Sequence, residues 1–401
     1  MAALLTVAQA ITAIRGALSP LRAEEVSLET AHGRILAAPV LATLSQPPFN
    51  SSAMDGYAVR FEDVREAGAL LEIAGVSSPG KGFWRSLPSA AAVRIFTGAP
   101  VPDGADHILI QEEAESVGGK VIVRAPQQSA QYVRRLGIDF RKGDALLSDG
   151  ARLTGAALAL AAAGNAARVT VRKRPRVAII ANGDELVLPG VTPSLDQIIC
   201  SIPFGLAPLI EGWGAEAVFL GVAPDDKPSL HRMAGDAADF DLVAPIGGAS
   251  VGEHDFMRAV FAELGFAIKF EKVAVRPGKP TWFGVRDHAC VLGLPGNPAS
   301  AFVAATLFLK PAIERLLGMP ADCDRRFLLA RSAARIAENG PRETYLRAHV
   351  TEGADGVRCI APFDLQDSSL LSIMTQSNAL LRRESGAPAA SAGELVEFLP
   401  L

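Results

Sequence analysis

Three apolar runs of this 401-residue chain end in glycine-containing turns that carry carboxylates or amides. They are residues 177–186 (VAIIANGDEL), 242–255 (LVAPIGGASVGEHD) and 290–298 (CVLGLPGNP). The carboxyl ends of buried parallel strands lie along one edge of a sheet, where α/β proteins bind their ligands. Three such turns in one region therefore predict a binding or catalytic site.

Acidic residues recur at or near these turns, as the pairs Asp184 and Glu185, Asp225 and Asp226, and Glu253 and Asp255. Such residues often only cap a following helix, and for a single acid that structural role is the commoner one. Their recurrence at strand ends favours a second role, because a few carboxylates that leave room for water or phosphate oxygens suit Mg²⁺. We therefore expect a magnesium site.

A turn rich in proline and glycine, residues 275–280 (VRPGKP), carries Arg276 and Lys279. Its glycine lets backbone amides approach an anion, and the two side chains supply positive charge. A basic hairpin turn at the surface explains the same residues equally well. Residues 294–298 place another constrained loop before a helix, with Ser300 in its first turn, where anions bind readily. Carboxylates near anion-binding turns indicate phosphate chemistry.

Other catalytic motifs are incomplete in this chain. Residues 75–82 (GVSSPGKG) approach a phosphate-binding P-loop, but Gly82 stands where a Ser or Thr would bind magnesium. The six histidines form no His-Glu-x-x-His pattern, which argues against a zinc site. Ser250 and Ser300 lack the Gly-x-Ser-x-Gly elbow of serine hydrolases. No Gly-x-Gly-x-x-Gly follows a strand at the start of the sheet region, which argues against a dinucleotide enzyme.

The composition is that of a soluble globular protein, with 49% apolar and 20% charged residues. A net charge of −4 without a basic run argues against nucleic acid as a partner. No apolar stretch reaches about 18 residues and no basic segment precedes the first apolar one, so we expect no membrane span, no signal peptide and a cytoplasmic location. The scattered cysteines predict buried reduced thiols at Cys200, Cys290, Cys323 and Cys359.

The order of sequence patterns predicts the fold class. Helical spacing covers residues 5–18, and a second helix is expected within residues 24–37. Short β-type runs follow until about residue 145, and an Ala-rich helix is expected over residues 151–170. Strands and helices then alternate from 176 to 317, which predicts a doubly wound, mostly parallel sheet. Strand-like runs after residue 326 predict a small C-terminal β domain.

We therefore predict a multidomain α/β protein with four domains. Residues 1–43 and 146–174 are expected to form a discontinuous, helical N-terminal domain. Residues 44–145 form an inserted small β-rich domain, residues 175–320 the α/β domain, and residues 321–401 the C-terminal β domain.

Six segments of the chain resemble the molybdopterin molybdenumtransferase family, MoeA, which also occurs as the E domain of gephyrin. In chain order they are 48–59 (PFNSSAMDGYAV), 97–106 (TGAPVPDGAD), 183–186 (GDEL), 247–255 (GGASVGEHD), 276–280 (RPGKP) and 294–298 (LPGNP). Their order is the family's order, and the resemblance runs over nearly the whole chain. It implies an elongated four-domain subunit that forms a homodimer.

The resemblance also implies an activity, namely Mg²⁺-dependent hydrolysis of adenylyl-molybdopterin with insertion of molybdate into the dithiolene and release of AMP. It assigns catalytic roles to Asp55 and Thr97 of one subunit and to Glu185, Asp226 and Asp255 of the other, the last three as metal ligands. The residues implied in substrate binding are Asp139, Gly183, Asp184, Gly247, Gly248, Ser250, Arg276, Lys279, Pro295, Gly296, Asn297 and Ser300. A molybdopterin adenylyltransferase or an apo-molybdoenzyme is the protein partner that this reaction implies.

Several positions inside these motifs depart from the family's pattern. Ala181 replaces a Ser or Asn, Ile202 an Asn, Ile246 a Ser, and Arg276 a Lys. Isoleucine removes hydrogen-bonding groups and leaves an apolar wall, whereas arginine keeps the charge and changes its geometry. Three hypotheses follow: an active molybdenum insertase, a diverged paralogue that binds or processes a related pterin nucleotide or another oxyanion, and a non-catalytic binding or carrier protein.

Overall fold

The computed structural model describes residues 4–237, 239–247, 256–321, 327–354 and 356–401. The chain forms two compact units. The first contains the described parts of Met1–Glu24, Gly33–Ala37 and Val171–Leu401, and the second contains Glu25–His32 and Ala38–Thr170. The four predicted domain boundaries remain a prediction.

The amino-terminal part of the chain is mostly β. Up to residue 172 the helices and strands are α1 (Val7–Ala17), β1 (Ala23–Ser27), β2 (Val40–Leu41), β3 (Ser51–Ser52), β4 (Gly56–Val59), β5 (Leu70–Ser77), β6 (Ala91–Ile95), β7 (His107–Ile110), β8 (Ala114–Val117), β9 (Lys120–Val123), β10 (Val133–Arg134), β11 (Ala145–Leu147), α2 (Gly155–Ala163) and β12 (Arg168–Arg172). The predicted helix over residues 5–18 and the short β runs are confirmed.

The helix predicted within residues 24–37 is wrong, because this segment contains β1 and a 3₁₀ turn, Leu28–Thr30. Its backbone is paired far along the chain: Arg172 N–H donates to Ile35 O at 2.8 Å, and just before the segment Lys173 N–H donates to Arg22 O at 3.0 Å. Local periodicity carries no information about such distant partners. The helix predicted over residues 151–170 is shorter in the structure, where it covers Gly155–Ala163. It ends before Asn165, whose φ of 67° does not continue a right-handed helix.

The second unit is built around a six-stranded sheet in the order β7-β4-β6-β5-β9-β8. Strand β4 is buried throughout and pairs antiparallel with both β6 and β7. The register pairs Gly56 with Ile95, so Asp55, just before β4, lies close to Thr97, just after β6. Apolar side chains pack on both faces of the sheet, including Tyr57 on one face and Ala58 on the other.

The middle of the chain alternates strands and helices. They are β13 (Arg176–Asn182), β14 (Leu186–Val187), β15 (Ile198–Ile199), α3 (Ile202–Gly212), β16 (Glu216–Ala223), α4 (Lys227–Asp236), β17 (Leu242–Ile246), α5 (Phe256–Glu263), β18 (Ala267–Phe270), β19 (Val275–Arg276), β20 (Trp282–Arg286), β21 (Ala289–Gly293), α6 (Pro298–Ala304) and α7 (Lys310–Leu316), with the π-helical turn Ala305–Leu309 between α6 and α7. Pro311 has no N–H to donate to the preceding turn, which accounts for the irregular winding there.

These strands form a sheet in the order β16-β13-β17-β21-β20-β18. The first four are parallel, and β20 and β18 extend the sheet with antiparallel pairings. Successive residues of β13 point to opposite faces, so Ile179 packs in one apolar core and Ile180 in the other. The predicted doubly wound, mostly parallel sheet is confirmed, although the sequence patterns did not show β18 and β20.

The carboxyl-terminal part is a second six-stranded sheet in the order β19-β23-β24-β22-β26-β25, and an additional pairing of β23 with β25 curls it into a barrel-like layer. Its further elements are β22 (Leu328–Ser332), β23 (Glu343–Glu352), β24 (Arg358–Pro362), α8 (Leu371–Gln376), β25 (Ala379–Arg383) and β26 (Leu395–Pro400). The predicted C-terminal β domain is confirmed. Strand β19 belongs to the basic turn, so this turn is tied to β23 through the pairs Val275–Glu343 and Arg276–Thr344.

Candidate functional site

The three glycine-containing turns meet at the carboxyl ends of β13, β17 and β21. Gly247 has a φ of 90°, and a Cβ added there would lie 2.7 Å from Asn182 O. A Cβ added at Gly296 would lie 3.4 Å from Gly247 Cα, and Gly247 N–H donates to Leu294 O at 3.1 Å. The turns therefore pack backbone against backbone, and the glycine at position 247 is required by both its conformation and its contact.

A cavity of about 800 Å³ opens at this junction. Its lining residues come from the three turns, the loop after β16, β15 and the start of α3, the basic turn, α6 and the C-terminal region. They are Ala181, Asn182, Gly183, Glu185, Leu186, Ile198, Ile199, Cys200, Ser201, Ile202, Pro203, Asp225, Ile246, Gly247, Pro280, Pro295, Gly296, Asn297, Pro298, Ser300 and Ser369. A cavity of this size can take a ligand as large as a nucleotide conjugate.

Two of the predicted carboxylate pairs contribute one acid each to this cavity. Glu185 lines it, and its carboxylate lies over Gly183. Asp225 also lines it and accepts a hydrogen bond from Asn182 Nδ2 at 2.7 Å. Asp184 instead accepts from the Asp225 backbone N–H at 3.0 Å and thereby holds this loop. The structure thus brings Glu185 and Asp225 together and gives Asp184 a supporting position.

Asp226 is the N-cap of α4 and does not line the cavity. Its Oδ1 accepts from Ser229 N–H at 2.8 Å, and this bond holds the pKa of the Asp226 carboxyl below its ordinary value. Capping is the structural role that the sequence had left open for this acid.

The basic turn packs on α6 next to the cavity. A Cβ added at Gly278, whose φ is 109°, would lie 3.5 Å from Ala304 Cβ and 3.8 Å from Ser300 O. Pro280 lines the cavity, whereas the exposed side chains of Arg276 and Lys279 lie outside its lining. The turn therefore places two positive charges near the cavity without closing it.

The fourth side of the cavity comes from a segment that the sequence motifs did not show. Asn297 Nδ2 donates to Ser368 Oγ at 3.0 Å, Ala299 N–H donates to Ser368 O at 2.9 Å, and Ser369 lines the cavity with the buried Ser300. The only local signal is Asp367, which accepts from the N–H and hydroxyl of Ser369 in a polar turn. Seventy residues separate this turn from the one it contacts, so sequence spacing could not place it.

Three apolar side chains form a wall on the same cavity. Ala181, Ile202 and Ile246 line the cavity and are 1%, 7% and 4% exposed. Cys200 also lines it, and burial raises the pKa of its thiol. Cys290 is buried as predicted, but Cys359 is exposed because its strand β24 turns that side chain to solvent; Cys323 lies outside the described residues.

In the second unit, Asp55 and Thr97 form a compact pair. Asp55 Oδ1 accepts from the Thr97 N–H at 2.7 Å and from the Thr97 hydroxyl at 2.8 Å. These bonds, the backbone one first, hold the pKa of the Asp55 carboxyl below its ordinary value of 3.8. Asp139 is exposed in a loop anchored by its own N–H, which donates to Gln46 O at 3.1 Å. Asp55 is thus fixed as an ionised acceptor.

We expect Thr97→Val to raise the pKa of Asp55 part of the way toward 3.8, because the hydroxyl donor is lost and the backbone donor stays. A lowered folded-state pKa stabilises the fold above 3.8, and this contribution is lost as the pH falls through the folded pKa. The difference in free energy of unfolding between the wild type and the variant should therefore become smaller as the pH falls. Carboxyl-detected NMR titration measures the shift. Thr97→Ser keeps the hydroxyl and is the control; an unchanged pKa in Thr97→Val would contradict the assignment.

Three predicted site residues, Gly248, Ser250 and Asp255, lie outside the described residues. Across the described ranges, no three His, Cys, Asp or Glu side chains gather as a metal-binding group. The described residues also include no helix that is long and apolar enough to cross a membrane. The magnesium site predicted from Glu185, Asp226 and Asp255 remains a prediction.

The fold and the cavity together define the class of protein: a multidomain α/β protein with a ligand cavity at the carboxyl ends of parallel strands. Three family models match consecutive parts of the chain. They are the MoeA N-terminal region (domain I and II) over residues 5–164, the "Probable molybdopterin binding domain" over residues 178–315 and the MoeA C-terminal region (domain IV) over residues 330–401.

Known proteins resemble the chain over most of its length. The molybdopterin molybdenumtransferase of Nostoc sp. is 36% identical over 340 residues, covering 82% of this chain and 78% of the relative. The enzyme of that name from Haemophilus influenzae is 34% identical over 383 residues, covering 95% of this chain and 94% of the relative. The crystal structure of the molybdopterin biosynthesis MoeA protein from Pyrococcus horikosii superimposes with a TM-score of 0.84 at 30% identity and covers 99% of both chains.

The chain belongs to the MoeA family. The resemblance inferred from the six motifs is thereby confirmed, and so is the fold class. Membership places the chain among transferases of molybdenum cofactor biosynthesis.

Proposed function

We propose that this protein is an active molybdenum insertase, which hydrolyses adenylyl-molybdopterin, inserts molybdate into the dithiolene and releases AMP. One observation carries the proposal: a single cavity is lined by the carboxylates Glu185 and Asp225 and by the amide and hydroxyl groups of Asn297, Ser300 and Ser369. Oxygen ligands for a cation and donors for an anion are the two requirements of a phosphate-cleaving site. The region also matches the molybdopterin-binding family model.

The donor set of the cavity fits Mg²⁺, which prefers carboxylate oxygens and retains water or phosphate oxygens as its other ligands. Glu185 has an exposed carboxylate that no hydrogen bond to the described residues occupies, and Asp225 keeps one carboxylate oxygen beyond its bond to Asn182. We propose Glu185, Asp226 and Asp255 as ligands, with Asp225 beside them. Bound there, Mg²⁺ would neutralise phosphate charge and polarise the phosphoanhydride.

The residues of the chain then have separate tasks. Glu185 accepts a hydrogen bond from the attacking water and orients it toward the phosphoanhydride of the substrate. The Ser369 hydroxyl already donates to Asp367 Oδ1, and one N–H of Asn297 Nδ2 donates to Ser368 Oγ. The Ser300 hydroxyl and the second N–H of Asn297 are therefore the side-chain donors that this part of the cavity offers to an oxyanion. Arg276 and Lys279 lower the electrostatic cost of bringing polyanions to the cavity. Water adds to phosphorus as the bond to the other phosphate breaks, which releases AMP and molybdopterin.

The test supplies purified protein with adenylyl-molybdopterin, molybdate and Mg²⁺ and measures released AMP and activation of an apo-molybdoenzyme. We expect both products to form together. Tight binding of the pterin without AMP release would replace this proposal with that of a carrier protein.

The same assay distinguishes the roles of Asp225 and Asp226 in metal binding. We expect Asp225→Asn to raise the Mg²⁺ concentration needed for half-maximal AMP release by about tenfold or more, because it removes a charge from the cavity. Asparagine caps helices as well as aspartate, so Asp226→Asn should leave the melting temperature unchanged and report only on metal binding. An unchanged Mg²⁺ dependence in Asp226→Asn would reduce that residue to a helix cap.

A second candidate is a diverged paralogue that processes a related pterin nucleotide or another oxyanion. The apolar positions Ala181, Ile202 and Ile246 favour it, because all three line the cavity where the family's pattern has polar groups. Parallel assays with other nucleotide conjugates and oxyanions separate the two. Faster turnover of one of these than of adenylyl-molybdopterin with molybdate would support the paralogue.

We further propose that the protein acts in the cytoplasm as a homodimer and passes its product to an apo-molybdoenzyme. The family resemblance implies that Asp55 of one subunit serves the cavity of the other. If so, Asp55→Asn and Glu185→Gln subunits, each inactive alone, should recover activity when co-expressed, because one site of each mixed dimer is intact. Statistical mixing predicts about a quarter of wild-type AMP release. No recovery in mixed dimers confirmed by mass spectrometry would contradict the shared site.

A further inference from the structure

The wall formed by Ala181, Ile202 and Ile246, here called the apolar wall, is built into the sheet. Ala181 and Ile246 are register partners at the ends of the neighbouring parallel strands β13 and β17. Side chains at paired positions of parallel strands point to the same face, so the two lie side by side. Ile202 starts α3 and belongs to the same apolar core as Ile246. The wall is therefore a continuation of the protein core that reaches the cavity.

The polar side chain next to the wall on β13 is already committed to other partners. Asn182 follows Ala181, and its Nδ2 donates to Ala223 O, Pro224 O and Asp225 Oδ1 at 3.2, 3.4 and 2.7 Å. The side chains of the wall offer no hydrogen bond, and a phosphate or oxyanion pressed against them would lose its hydration without replacement. The carboxylates of Glu185 and Asp225 in the same lining also disfavour an unscreened anion.

An uncharged flat ring has the opposite properties. Its face gains from contact with aliphatic side chains and needs no hydrogen bond. The polar edge of the ring can still reach the hydroxyl of Ser201, which lines the cavity between Cys200 and Ile202 and makes no capping bond to α3. The cavity is large enough to hold such a ring beside the phosphate-binding groups.

We infer that the apolar wall binds the face of an uncharged heteroaromatic ring of the substrate, and that it does not bind a phosphate or oxyanion. Adenine and pterin are the two rings of this chemistry in the substrate proposed above, on which the inference rests. Ile202 and Ile246 are then specificity-determining residues for the ring, whereas the phosphate is bound by polar groups of the same lining, such as Ser300.

The test measures binding without metal, molybdate or turnover, so its outcome is independent of whether AMP is ever released. Adenosine and unsubstituted pterin are titrated calorimetrically as ring probes, and ribose 5-phosphate is the phosphate probe. We expect Ile246→Ser and Ile202→Asn each to lower the affinity for the tighter-binding ring probe by about tenfold, because apolar contact with the ring is lost. Neither variant should lower the affinity for ribose 5-phosphate. The ring probe that binds tighter identifies adenine or pterin as the occupant.

Two controls separate contact from stability. Ile246→Val keeps a branched apolar side chain and should retain ring binding within about threefold. Ile210→Val alters the same core on α3 away from the cavity lining, so it should lower only the melting temperature and leave ring affinity unchanged. Weaker phosphate binding with unchanged ring binding in Ile246→Ser, or no detectable binding of either ring, would overturn the inference.

Discussion

We expect Glu185→Gln to reduce the rate of AMP release by roughly 10³-fold while the protein stays folded. Glu185 is the carboxylate of the Gly183–Leu186 motif that lines the cavity, and its exposed side chain makes no hydrogen bond to any other described residue. Its substitution therefore removes a charge and an acceptor from the site without breaking a structural contact. Single-turnover AMP release and thermal unfolding, measured on the same sample, provide the two readouts.

The matched control is Glu211→Gln, which neutralises an exposed carboxylate on α3, away from the cavity lining. We expect this variant to release AMP at the wild-type rate. If Glu185→Gln kept the wild-type rate as well, Glu185 would have no part in the chemistry and the proposed assignment of the metal site would be wrong. Loss of rate with normal affinity for adenylyl-molybdopterin would place its action in the chemical step.

Among glycine-to-alanine substitutions at the site, we expect Gly247→Ala to lower the free energy of unfolding most. The backbone at position 247 has a φ of 90°, and the new Cβ would lie 2.7 Å from Asn182 O, a backbone atom that is itself fixed in the sheet. Left-handed backbone costs an L-residue about 1–2 kcal/mol, and the contact adds to it, so we expect the free energy of unfolding to fall by roughly 2–4 kcal/mol. Misplacement of the three turns by about 1 Å should lower AMP release about 100-fold.

Gly296→Ala is the control for this prediction because it adds the same methyl group to a neighbouring turn. Its Cβ would lie 3.4 Å from Gly247 Cα, which is a close but tolerable contact. We expect a loss of stability below about 1 kcal/mol. Chemical denaturation measures both variants. Equal stability of the two would show that the backbone junction at Gly247 is not what holds the turns together.

The sequence predicted the elements that position the site because their signals are local. The apolar runs that became β13, β17 and β21 are continuous, as expected for strands buried on both faces, and glycine marks their ends. Parallel strands must then bring these ends to one edge. The convergence of the three turns was therefore predictable before any contact was known.

Other parts of the site were decided by contacts between distant segments. The sequence named both Asp225 and Asp226 before a helix, and the structure gives the two acids different positions: Asp226 caps α4, and Asp225 lines the cavity. Which of two adjacent acids caps a helix is beyond the resolution of a sequence pattern. The segment 24–37 is a similar case: its apolar residues suit a helix, but the backbone of Arg172, far along the chain, donates to Ile35 within it.

By itself, the sequence determined the family, the fold class and the chemical types of the groups at the strand ends, since these depend on residue identity and local periodicity. Only the tertiary structure decided which of those groups share one cavity. It placed Ser369 against Asn297 through Ser368, and it aligned Ala181, Ile202 and Ile246 into a single wall. The physical reason is that strand register and the docking of the C-terminal sheet are set by the packing of many residues together, which no single segment of the chain specifies.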